Sequence, residues 1–93
     1  MAKKYEELDI NSKTYFGFQW EDRLDSGDSI STSQWFTDEG ITVSGSAISG
    51  AATYQYFDGT GTEVGGLYNA TNRIVTANGD TLEQTLQIKI VQK

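Results

Sequence analysis

The stretch Ala77-Asn78-Gly79-Asp80, running into Thr81-Leu82-Glu83-Gln84-Thr85-Leu86-Gln87-Ile88-Lys89-Ile90, decides the fold class of this 93-residue chain. Asn-Gly between two strand-like runs is a strong short-range hairpin signal, and a two-residue type I′ turn is the expected geometry. Beyond the turn, Leu82, Leu86, Ile88 and Ile90 share one parity, and Glu83, Thr85, Gln87 and Lys89 share the other. Successive strand side chains point to opposite faces, so this pattern describes an antiparallel strand with one buried and one wet face.

Working upstream, Leu67 to Ala77 reads as a long strand with Tyr68, Ala70, Asn72 and Ile74 as its inward set. Ala52-Thr53-Tyr54-Gln55-Tyr56-Phe57 is another strand, closed by the turn Asp58-Gly59-Thr60-Gly61 and by a second break at Gly65-Gly66. Ile41-Thr42-Val43 alternates, Ser44-Gly45-Ser46 weakens the run, and Ile48 is expected to return to the core. Ile30 to Phe36 is a strand in which Ile30 and Trp35 have opposite parity, so a bulge or bend is required if both face inward. Lys13 to Trp20 is rich in aromatic residues and suits a strand. A short helical turn fits Trp20 to Leu24. Six or seven short strands with frequent turns imply an all-β domain, an antiparallel β-sandwich, with a small closed barrel as the alternative. Residues 1–12 read as an extended N-terminal arm and 13–93 as the sandwich domain.

The composition removes whole classes of chemistry. The chain has no Cys and no His. Disulfides, thiolate metal sites, thiol nucleophiles and the usual imidazole base or ligand are therefore absent. The net charge is −6, and the five lysines sit near the two ends, so no basic stripe exists for a phosphate backbone. Neither nucleic acid nor membrane is an expected partner, since the N-terminal stretch is polar and lacks an apolar leader. Asn69-Ala70-Thr71 matches a glycosylation sequon, which without a leader reads as a chance match.

Three constellations merit weighing. Glu21, Asp22, Asp25 and Asp28 cluster in one loop and Asp38-Glu39 in another. A glycosidase needs two carboxylates across a cleft, and an EF-hand needs a fixed ligand spacing and a closing Glu; a solvated turn is the simpler account. Serines are abundant but lack a base. Trp20, Trp35, Tyr54, Tyr56 and Phe57 could form a sugar platform, yet aromatics in a small sandwich usually fill the core. Tyr54, Tyr56 and Phe57 span both parities of one strand, so at least one must point outward. No catalytic, metal or cofactor residue is expected, and the chain is not expected to be an enzyme.

Tyr15-Phe16-Gly17-Phe18-Gln19-Trp20, Leu24, Gly27-Asp28-Ser29-Ile30 and Ser33-Gln34-Trp35 together resemble the opening pattern of small tailed-phage proteins. These are fiber-tail adaptor or head–tail joining proteins. Tyr68-Asn69-Ala70-Thr71-Asn72-Arg73-Ile74-Val75-Thr76-Ala77-Asn78-Gly79-Asp80 is similar to that family's closing segment, so the resemblance runs over about residues 13 to 91. It implies an immunoglobulin-like sandwich within a virion assembled in the bacterial cytoplasm. It also implies several symmetric copies that contact other virion proteins of the neck, tail, fiber or capsid. A capsid decoration protein and a carbohydrate-binding module are the alternatives. The chain departs from the family pattern after Phe57, where a longer Gly-rich stretch reaches Gly66. The expected partner contacts are Tyr5 and Leu8 on the arm, with Tyr56, Phe57 and Val64 around that stretch.

Overall fold

The computed structural model describes residues 5–92. Its strands are β1 (Glu6–Asp9), β2 (Lys13–Gln19), β3 (Ile30–Thr37), β4 (Thr42–Ser49), β5 (Ala52–Asp58), β6 (Leu67–Thr76) and β7 (Thr81–Val91). A 3-10 turn at Glu21–Arg23 follows β2, as the sequence led us to expect. One sheet has the order β1-β7-β6-β3 and the other β2-β5-β4. Such a four-on-three arrangement with crossovers between the sheets is an immunoglobulin-like sandwich.

Alternation places the core. On β6, Ala70, Asn72 and Ile74 are buried and Tyr68 is half-buried; on β7, Ile88 and Ile90 are buried. The opposing sheet supplies Phe57, Phe16 and Phe18. Trp35 of β3 stacks on Phe18 of β2 across the sandwich, with ring centroids 5.8 Å apart and 16° between the planes. Each fully buried Ile or Phe is worth about 1.5–3 kcal/mol relative to exposure, and the chain has few of them. The parity conflict in β3 is resolved by a register shift between Ile30 and Thr32.

Three expectations need correction. The hairpin β6–β7 does not close on a type I′ turn: Asn78 keeps a negative φ, since the positive-φ residues among those described are all glycines. Gly79 N–H donates to the Thr76 carbonyl at 2.9 Å, and Gly79 alone turns left-handed, at φ 93°. This is a type I turn followed by a bulge glycine, which matches the right-handed twist as well as type I′ does. Ile48 does not return to the core but stays 42% exposed.

The N-terminal arm, over Glu6–Asp9, is a strand of the domain itself. It pairs in parallel with β7, Leu8 opposite Ile90, and Leu8 is fully buried. The apolar Leu8 between two acids was its only sequence signal, and tertiary burial fixed it. Residues 1–4 of the expected arm lie outside the described residues.

Candidate partner-binding surface

The two outer faces of the sandwich differ in chemistry. On the four-stranded sheet, β6 and β7 present cross-strand polar pairs: Thr71 with Thr85, Asn69 with Gln87, and Arg73 with Glu83 at 2.5 Å. Such pairs are satisfied among themselves and well solvated. Phe36 is exposed there but lies under the Arg73 guanidinium, 4.9 Å from its ring centroid.

The three-stranded sheet presents tyrosines instead. Tyr15 of β2 stands opposite Tyr56 of β5, and Gly17 opposite Tyr54. Tyr15 is 58% exposed and Tyr56 37%, while Tyr54 is half-buried between them. The three rings hold one another, with centroid distances of 5.3 Å (Tyr15–Tyr54), 5.7 Å (Tyr15–Tyr56) and 6.3 Å (Tyr54–Tyr56). Lys13 places its Nζ 5.7 Å from the Tyr56 centroid, at one end of the cluster. Nearby, Asp58 accepts the backbone N–H of Thr60 at 2.9 Å. That hydrogen bond, with the Thr60 side chain and Lys13, holds its carboxyl below the ordinary range.

Next to the tyrosines lies a hollow of about 230 Å³, lined by Tyr15, Gly17, Phe18, Gln19, Ala52, Thr53 and Tyr54. Gly17 makes it possible. A Cβ there would lie 1.9 Å from the Thr53 carbonyl oxygen, so no side chain can stand at this position and the floor is bare backbone. The hollow carries no charged side chain.

The residues expected to contact partners are not brought together. Leu8 and Phe57 are buried in the core and cannot meet a partner without unfolding. Tyr5 packs against Lys89, 5.2 Å from ring centroid to Nζ, far from the tyrosine face in the topology. Val64 is 55% exposed on the Gly-rich connection. That connection is tied to β7 by Gly65 N–H to the Ile90 carbonyl and Ile90 N–H to the Gly66 carbonyl, at 2.8 and 2.9 Å. Only Tyr56 lies on the aromatic face. Of the five aromatics weighed as a platform, Trp20 and Phe57 are buried and Trp35 is half-buried. Tyr15 was missed, although its even spacing from Lys13 and Gly17, against inward Phe16 and Phe18, would have placed it outward.

The acidic loop folds back as a fastening. Asp28 Oδ1 accepts the N–H groups of Ser29 at 2.8 Å and Asn78 at 3.1 Å. Desolvation raises its pKa, but the Thr76 hydroxyl and the N–H groups of Ser29, Asn78 and Ala77 outweigh it, and the carboxyl is lowered. Among the described residues, no group of three or more acidic, His or Cys side chains could hold a metal ion. No helix among them is long and apolar enough to cross a membrane.

Seven strands in two packed sheets define an immunoglobulin-like β-sandwich domain, here with one aromatic outer face. Comparison with solved structures agrees on the fold. The PKD domain from KIAA 1837 protein, a solution structure, superposes with a TM-score of 0.62 at 16% identity, covering 100% of this chain and 85% of that one. No curated protein matches the chain. The family model described as "Podophage GP4 fiber-tail adaptor protein gp77" matches residues 9–89. The chain belongs to this phage fiber-tail adaptor family, and the family places it among the structural proteins of the virion.

Proposed function

We propose that this chain acts by binding alone, joining a tail component to a fiber component of the virion, with the tyrosine face of β2 and β5 as one docking surface. The observation that carries this reading is the Tyr15–Tyr54–Tyr56 cluster beside the uncharged hollow over Gly17. Tyrosine is enriched at interfaces because it buries a large area with few rotatable bonds and keeps a polar tip for the rim. Rings already held by their neighbours lose little further entropy on docking, and a pocket beside them accepts a partner's anchor side chain. The outer face of the other sheet is mostly paired polar side chains, and its exposed Phe36 lies under Arg73 without a neighbouring ring cluster. The chain would be present in several symmetric copies.

The test is a Tyr15→Ala/Tyr56→Ala variant, assayed for incorporation into particles alongside its circular dichroism. Both side chains are exposed, so the fold should persist. Loss of incorporation is expected, since anchor residues of this type typically cost at least about 2 kcal/mol each when truncated. Normal incorporation of the folded variant would refute the assignment. Sugar stacking is a second reading favoured by the same rings, with Gln19 as the polar contact. A glycan array that binds the native chain but not the variant would select it.

A further inference from the structure

We propose that the side of the sandwich formed by β3 and β4 is a self-association surface, where a second copy of this chain pairs antiparallel with the free edge of β3. This is a different surface from the tyrosine face, so either assignment can fail alone.

An edge strand exposes unpaired backbone N–H and C=O groups, and monomeric proteins blunt such edges with charges, proline or bulges. The protection here is uneven. On one side of the sandwich, β1 is four residues long and carries Glu6, Glu7 and Asp9. On the other side, β3 and β4 are each eight residues long and contain no charged residue and no proline. A bulge between Ser44 and Ser46 interrupts β4, and the one in β3 falls at its start, between Ile30 and Thr32. Thr32–Thr37 therefore forms a regular edge of a length suited to pairing.

The sandwich is also unfinished on this side. Val43 and Ile48 of β4 are register partners of Phe57 and Thr53, both buried on the inner face. They belong to that face, yet they remain 39% and 42% exposed. Apolar groups that point inward and stay wet need a cover that the described residues do not supply.

Charge argues for a second copy as the occupant. With 13 acidic and 7 basic residues, most of the surface would repel itself. No charged side chain stands on β3 or β4 themselves, and the acids of this side, Asp38 and Glu39, are confined to the loop that joins them, so the strand edges can meet their own image. A two-fold axis near Gln34 and Trp35 would continue the outer sheet from one copy to the next. It would also bring both pairs of Val43 and Ile48 to the same seam, as an isologous contact requires.

Sedimentation of the native chain across a concentration series should show reversible dimerisation. Val43→Lys/Ile48→Lys places like charges opposite each other across the axis and should weaken dimerisation by more than about tenfold. Both side chains point inward and are only partly exposed, so some loss of thermal stability is expected, and dimerisation is compared where circular dichroism shows the variant folded. Tyr15→Ala/Tyr56→Ala should dimerise normally. The proposal is overturned if the native chain stays monomeric at its highest soluble concentration, or if the lysine variant dimerises as the native chain does. A monomeric native chain whose lysine variant is lost from particles would also overturn it, and would assign this edge to a strand from another virion protein.

Discussion

Asn72 is the residue on which the two sheets are cross-braced. Its carboxamide oxygen accepts from the Thr53 hydroxyl, which in turn accepts the Trp20 indole N–H at 2.9 Å. Its amide nitrogen donates to the Ser33 hydroxyl at 2.8 Å and to the Gln34 carbonyl at 2.9 Å. Trp20, Thr53 and Asn72 are all buried. In a chain with no disulfide, this path joins Trp20, just after the second strand, and the fifth strand to the third and sixth through satisfied polar groups. Asn72→Ala leaves several of them without partners, so stability should fall by about 1–3 kcal/mol. Denaturant melts should show a lower midpoint with an unchanged slope. A midpoint within error of native would show the network to be dispensable. The sequence placed Asn72 in the inward parity set, but a polar residue among apolar ones does not name its partner. Thr53 and Trp20 reach it only through folding.

Among the elements, the two ends of the chain differ most in how far their local pattern announced them. The final strand is long, alternates except at Gln84 and is preceded by Asn-Gly, so sequence sufficed to place it. The first strand is four residues without alternation, and its existence depends on the seventh strand being there to pair with. The loop between the second and third strands is a third case. It is acidic and looks solvated, yet Asp28 fastens it to the β6–β7 turn, and Ala77 N–H donates to the Ser29 carbonyl at 2.8 Å. Because folding lowers the Asp28 pKa from 3.8, its contribution is fully present above that value and is lost as pH falls through the lower folded value. Acid titration of the melting temperature should therefore show a decline below about pH 4. Asp28→Asn keeps an acceptor oxygen but cannot titrate, and should flatten that decline. An identical pH profile in the variant would remove Asp28 from the account.

At the scale of the whole molecule, composition removed the chemistry of Cys and His, alternation named the sandwich, and the ordered motifs named the family. The binding surface was harder to see. Parity put Tyr54 and Tyr56 on one face, but the hollow beside them depends on Gly17 approaching Thr53 across two strands far apart in sequence, where Gly17 pairs with Tyr54. Nor could sequence show that Phe57 and Leu8 would be consumed by the core, since both read equally well as contacts until the sheets are stacked.

The parallel pairing of the first and last strands has a mechanical consequence. Glu6 lies opposite Ile88 and Asp9 opposite Val91, with Ile10 N–H also bonded to the Val91 carbonyl at 2.9 Å. Tension applied between Tyr5 and Gln92 pulls these two strands along their own axes in opposite directions. Their hydrogen bonds are then loaded in shear, together, instead of being unzipped one at a time. A joint built this way resists stretching more than its modest core would imply. Single-molecule pulling through the two ends should give a higher rupture force than pulling through the β6–β7 turn and Gln92, which peels the last hairpin. Equal forces along the two directions would show that the first strand bears no load.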